Sequence, residues 1–74
     1  MSRFPAELTV ALHDGRQITE CFNQAEMAHV RHGELLDRLR AGESLVIYDG
    51  EEYVVEAGEV ASIVVQERVL TAAG

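Results

Sequence analysis

The chain of 74 residues has little cysteine, few aromatic side chains and no long apolar run. Its single cysteine, Cys21, cannot form an internal disulfide, and no charged-then-apolar N-terminal segment is present, so neither secretion nor membrane insertion is indicated. We therefore expect a cytoplasmic protein. Because only two phenylalanines and two tyrosines are available, the core must be built from Leu, Ile and Val.

Sequence motifs for nucleotide, calcium or cofactor binding are also absent. The glycines stand singly, at positions 15, 33, 42, 50, 58 and 74, which excludes a glycine-rich phosphate loop. The run from Asp49 to Glu52 shares only its composition with a calcium loop, because it lacks the alternating ligands and the distant glutamate. We expect no cofactor and no enzyme activity.

Two small groups of residues are weak candidates for a functional site, one for a metal site and one for a reactive thiol. Glu26, His29 and His32 have the three-residue spacing of carboxylate-bridged metal sites in helical bundles, but one helix supplies only one such set. A solvated helix face with one half-buried histidine is the simpler interpretation. Cys21 precedes the predicted helix by two residues, where a thiolate could be activated, yet no third orienting group is implied and the chain has little room for a substrate pocket. A metal or thiol enzyme is therefore the third of three hypotheses.

The negative charge of the chain is concentrated in its second half. The net charge is −7, with no lysine and six arginines. Residues 1–41 carry six carboxylates against five arginines, a net −1, whereas residues 42–74 carry seven against Arg68 alone, a net −6. Such a surface repels phosphate backbones and attracts basic proteins. Ordinary solubility is the simplest alternative explanation.

Two Asp-Gly pairs, Asp14-Gly15 and Asp49-Gly50, lie between runs of alternating apolar and polar residues and predict two β-hairpins. The first spans residues 6–22, with strands from about residue 7 to 13 and from 16 to 22. The parity of its apolar residues requires a three-residue loop with Gly15 in the left-handed conformation, which pairs Val10 with Ile18 and Ala6 with Phe22. Cys21 then points to the opposite face.

One helix is predicted over residues 24–41. Asn23 and Glu26 could form a capping box, with Phe22 and Met27 as a hydrophobic staple, and Gly42 suits a left-handed C-terminal cap. Gly33 is unfavourable in a helix interior; it marks either a break or a close approach of the sheet, and we favour a single helix. The buried stripe is predicted to consist of Ala28, His32, Leu35, Leu36 and Leu39.

Three further strands are predicted over residues 44–67, joined at Asp49-Gly50 and by a tight link at Gly58-Glu59, and their succession suggests a meander. Their apolar residues point to both faces, while one helix can cover only one side of a sheet. Either curling into a partial barrel or a second copy of the chain would cover the other face. Residues 69–74 are either a frayed tail or an arm in that contact.

The stretch from Leu8 to Ile18 resembles the opening hairpin of Sm-like RNA-binding barrels, and the stretch from Gly58 to Val65 resembles the end of such a fold. The resemblance covers about a third of the chain, and it is a likeness of fold. It implies an RNA-binding module. The helix between the hairpins and the acidic balance depart from that pattern.

Taken together, these patterns predict one small α+β domain over residues 1–74, in ββαβββ order, with a largely antiparallel sheet packed on one helix. The expected function is that of a non-catalytic accessory protein, bacterial or phage-encoded, that forms a homo-oligomer, with a dimer favoured, and binds a basic partner protein. The alternative is a regulator of nucleic-acid transactions, either an acidic DNA mimic or an Sm-like module, although direct nucleic-acid binding is disfavoured. The expected interaction surface comprises Glu51, Glu52, Glu56 and Glu59.

Overall fold

Five strands and one α-helix follow one another in the predicted order. The computed structural model describes residues 4–68, so the expectation for residues 69–74 lies outside the described residues. The elements are β1 (Ala6–Leu12), β2 (Gln17–Phe22), α1 (Ala25–Arg40), β3 (Leu45–Tyr48), β4 (Glu52–Val55), a 3-10 helix (Ala57–Glu59) and β5 (Val60–Glu67). This arrangement confirms the α+β class and the ββαβββ order.

The β1–β2 hairpin has the predicted register. Val10 pairs with Ile18 and Ala6 with Phe22, and the Leu12 N–H donates to the Arg16 carbonyl at 2.9 Å to close the loop. Gly15 has a φ of 95°, a conformation that costs little only for glycine. The side-chain pattern and the turn residue therefore determined the register together.

The strands form two antiparallel sheets, one in the order β2-β1-β5 and one containing β3 and β4. The predicted meander is wrong, because β5 pairs with β1 and not with β4. The expected tight link is instead a 3-10 helix, Ala57–Glu59, with a capping box in which the Glu56 and Glu59 side chains each accept from the backbone N–H of the other residue. This extra turn, followed by a register shift opposite Leu12, directs β5 away from β4 and towards β1.

The core lies between α1 and the inner faces of both sheets. Its buried apolar residues are Leu8, Val10, Leu12, Ile18, Leu35, Leu45, Ile47, Val55 and Val60. The strands are not closed into a barrel, and apolar side chains remain exposed on the outer faces, such as Val54 at 62% and Val64 at 48%. Coverage of these residues by a second copy, the expected homodimer, stays a prediction.

The N-terminus of α1 differs from the prediction. Gln24, with an extended backbone, is the N-cap, and no side chain caps the helix. The proposed Asn23–Glu26 capping box is wrong, because the helix begins one residue later and Glu26 becomes its second residue, out of phase for reciprocal capping. The same shift moves Phe22 and Met27 one residue away from the two positions of a hydrophobic staple, and Met27 is 54% exposed.

The body and C-terminus of α1 follow the predicted pattern. Ala28 and Leu35 are buried, and the other three residues of the predicted stripe are half-buried. Gly42 has a φ of 74°, and the Glu43 N–H donates to the Arg38 carbonyl at 2.9 Å, which is the 6→1 bond of a Schellman motif. The left-handed glycine ends the helix where the sequence predicted it.

Gly33 neither breaks the helix nor lets the sheet approach. The helix is continuous from Ala25 to Arg40, and a Cβ at Gly33 would meet nothing within 4 Å. We therefore expect Gly33→Ala to stabilise the fold by about 1 kcal/mol, which raises the melting temperature by about 4–8 °C in a domain of this size. Gly42→Ala should lower it, since alanine is strained at positive φ. Thermal unfolding followed by circular dichroism checks both, and a lower melting temperature for Gly33→Ala would show that the glycine has a role in packing.

Candidate functional site

A buried ion pair fixes the position of the β3–β4 hairpin. Glu20, on β2, is 6% exposed, and its carboxylate accepts from the Arg31 Nε at 3.1 Å and the Arg31 Nη2 at 3.3 Å. The Tyr48 N–H donates to Glu20 Oε2 at 2.8 Å, and Arg31 also donates to the Val46 carbonyl. One charged pair therefore joins β2, α1 and β3.

Sequence reasoning did not single out this pair, although a signal was present. Glu20 has the same parity on β2 as Ile18 and Phe22, so strand alternation places its side chain on the inner face. A carboxylate in an apolar layer requires a cationic or hydrogen-bonding partner. Arg31 borders the buried stripe of α1 and supplies it.

Side chains also bond to outward backbone groups of β2 and β5. The Asp49 carboxylate, in the β3–β4 loop, accepts from the Thr19 N–H of β2 at 3.2 Å. On the other side of the domain, His32 Nε2 lies 3.0 Å from the Ile63 carbonyl of β5. Polar side chains thus satisfy backbone groups on the outward edges of β2, β3 and β5.

The outward edge of β4 is open. Val46 and Tyr48 lie opposite Val54 and Glu52 in the ladder, and the Val46 carbonyl and the Tyr48 N–H point away from β4, towards Arg31 and Glu20. In an antiparallel pair of strands, the N–H and C=O groups of two directly opposed residues either bond to each other or point away from the partner strand in both residues. The N–H and C=O groups of Glu52 and Val54 therefore point away from β3, where no other strand within residues 4–68 pairs with them.

Carboxylates surround this open edge. The four residues of the expected interaction surface are all exposed, and none of them takes part in the ion pairs formed within the described chain. Their hydrogen bonds are to neutral groups: Tyr48 Oη donates to Glu52 at 3.3 Å, and the Glu56 N–H donates to Glu59 at 3.2 Å. None of these hydrogen bonds comes from a described cation, although Arg31 and Arg38 line the same groove as Glu52.

Apolar and aromatic side chains lie between these carboxylates. Val54 is 62% exposed, Tyr48 58% and Tyr53 37%. The nearby Glu51 carboxylate raises the pKa of the Tyr53 phenol, first as a hydrogen-bond acceptor and then through its negative charge, and desolvation and the charge of Asp49 raise it further. We call β4, with Tyr48 and the four carboxylates around it, the acidic edge.

The weak metal and thiol candidates do not converge. His32 contacts the Ile63 carbonyl, and His29 Nε2 lies 3.2 Å from Glu67, so both histidines join α1 to β5. Glu26 is exposed beside a shallow groove of about 370 Å³ that Met27 and Val30 help to line. No three His, Cys, Asp or Glu residues within residues 4–68 could hold a metal ion together. Cys21 is a free, exposed thiol.

Comparisons with known proteins add no relative to this geometry. No protein-family model, curated protein or solved structure matches the chain. Within the described part of the chain, α1 is too short and too polar to cross a membrane. The arguments for function therefore depend on the acidic edge itself.

Proposed function

We propose that this protein is a non-catalytic interaction protein, and that its acidic edge binds a basic segment of a partner protein. The observation that carries the proposal is the set of exposed carboxylates without a described cationic partner, arranged around exposed Val54 and two tyrosines. Protein interfaces combine apolar and aromatic contacts at their centre with polar or charged groups at the rim. Complementary charge also accelerates association and suppresses wrong partners.

The arginines of α1 favour a protein partner over direct nucleic-acid binding. Arg31 is engaged by Glu20, Arg38 lies 4.0 Å from Glu43, and Arg40 lies 3.9 Å from Asp37. Each cation that an Sm-like module would offer to phosphate therefore has a carboxylate beside it, in a chain of net charge −7. An acidic mimic of nucleic acid is one form of the same proposal, since its partner is also a basic protein.

A labelled peptide of alternating arginine and threonine tests the proposal by fluorescence anisotropy at about 0.15 M salt, where the Debye length is about 8 Å. In the edge variant, Gln replaces Glu51, Glu52, Glu56 and Glu59; glutamine keeps the oxygen that accepts the local hydrogen bonds. We expect this variant to bind about tenfold more weakly than the wild type, because each exposed charge pair contributes about 0.2–1 kcal/mol.

A second variant separates the acidic edge from the net charge. It carries Glu26→Gln, Glu34→Gln, Asp37→Asn and Glu43→Gln, which remove the same number of charges from α1 and its C-terminal loop. We expect its affinity to stay within about twofold of the wild type, since these four residues lie on α1 and its C-terminal loop and not on β4, and salt at this concentration weakens the interaction between separated exposed charges. An equal loss in both variants, or no binding by the wild type, would contradict the proposal.

A further inference from the structure

We infer that the basic segment binds to the acidic edge as an added β-strand beside β4, and that it is recognised in an extended conformation. This inference rests on the proposed function and specifies the mode of binding. In such β-augmentation, main-chain hydrogen bonds give affinity and alternate side chains give specificity.

The backbone of β4 is suited to this mode. The N–H and C=O groups of Glu52 and Val54 point outward, two residues apart, with the spacing of one antiparallel hydrogen-bonding repeat. On the other exposed edges, at least one outward group already contacts a side chain: Thr19 of β2 contacts Asp49, and Ile63 of β5 contacts His32. The outward groups of Glu52 and Val54 have no such contact within residues 4–68, and the first occupied group along this edge is the Glu56 N–H, which donates to Glu59.

Both faces of β4 offer contacts to alternate side chains of an added strand. Glu52, Val54 and Glu56 share one face, since Glu56 continues the extended backbone with φ −73° and ψ 147°. An arginine or lysine stem could pack on Val54 and place its charge between the two carboxylates. On the other face, the Tyr53 ring beside Glu51 provides an aromatic surface next to a negative charge, which is favourable for a cation.

Charge decides which strand can occupy this edge. A second copy pairing antiparallel through its own β4, with Val54 opposite Val54, would place Glu52 opposite Glu56, and like charges across a strand pair are destabilising. Charged residues on an edge strand are a common protection against such self-pairing. A basic segment replaces this repulsion with cross-strand ion pairs, so the same residues disfavour a second copy in that register and favour a basic strand.

The test uses three versions of the alternating arginine–threonine peptide with the same charge. The first is unmodified, the second is N-methylated at alternate residues, and the third at every residue. N-methylation removes the amide donors needed for a β-ladder, and alternate methylation leaves one edge of the peptide intact. We expect the second peptide to bind within about threefold of the first, and the third to bind at least about tenfold more weakly.

The outcomes distinguish the two proposals. Equal binding of all three peptides would overturn strand addition and leave the proposed function standing, because charge alone would then explain binding. An equal loss for the second and third peptides would also overturn strand addition, since one intact edge suffices for a β-ladder. If the wild-type protein binds none of the three, the proposed function itself fails.

Discussion

Arg31→Met is expected to destabilise the fold by about 3 kcal/mol, because it leaves the Glu20 carboxylate buried without its cation. Glu20 is 6% exposed, so water cannot replace the lost partner fully. A single core in a domain of this size rarely supplies more than about 3–5 kcal/mol. Urea unfolding followed by circular dichroism should therefore show a variant that is largely unfolded or has a midpoint near zero denaturant.

Two further variants show whether the buried charge is the cause. Adding Glu20→Gln to Arg31→Met removes that charge while keeping an acceptor for the Tyr48 N–H, and it should restore more than about half of the lost stability. Arg38→Met should cost less than about 0.5 kcal/mol, since the Arg38–Glu43 pair is long and exposed. A double variant no more stable than Arg31→Met would mean that the arginine acts through its hydrogen bond to Val46 or its packing.

Leu35→Ala should be comparably severe, with a loss of about 3 kcal/mol. Leu35 is fully buried and is the only large residue of α1 in the central core cluster. Truncation removes apolar contacts and leaves a cavity between the helix and the two sheets, and the cost of such changes is typically about 2–5 kcal/mol. The measurement is the free energy of unfolding in urea.

Val30→Ala is the matched control on the same helix. Val30 is 63% exposed, and alanine has the higher helix propensity, so the change in stability should be within about 0.5 kcal/mol of zero. If Leu35→Ala and Val30→Ala had equal effects, α1 would not be held by the core described here. A large loss for Val30→Ala alone would indicate that its exposed face is covered by another molecule.

The parts of the fold that depend on neighbours in sequence were predictable. The register of the first hairpin followed from the parity of Val10 and Ile18 around Gly15, and the end of α1 followed from Gly42. The hairpin register and the end of α1 both depend on the conformation of one glycine and on the apolar pattern of a few neighbouring residues. The N-terminus of α1 was predicted one residue early, because the choice between Asn23 and Gln24 as N-cap depends on how the helix docks.

The parts that depend on distant pairing were not predictable. β5 could have paired with β4 or with β1, and the apolar alternation of β5 suits both. The choice lay in the turn formed by Glu56 and Glu59: the sequence predicted a tight link at Gly58-Glu59, but it did not predict the capping box that shapes this turn. The Glu20–Arg31 pair was missed for a similar reason: its partners are eleven residues apart on different elements, and only the packed structure shows that they meet.

The Glu20–Arg31 pair and the acidic edge lie on opposite sides of the same β3–β4 hairpin. Arg31 and Glu20 bind the outward Val46 carbonyl and Tyr48 N–H of β3, whereas the outward groups of Glu52 and Val54 on β4 have no such partner within residues 4–68. The stability variants therefore also concern binding, because a hairpin that is released from β2 would no longer hold β4 in place. For this reason the binding variants alter only exposed side chains.

Amide hydrogen exchange of the wild-type protein, measured by NMR with and without the unmodified basic peptide, tests the central claim most directly. In the free protein, the outward amides of Glu52 and Val54 should exchange rapidly, as expected for N–H groups exposed to water. Saturating peptide should slow exchange at these two amides most strongly. Protection at other strand edges, or peptide binding without protection of Glu52 and Val54, would contradict the account.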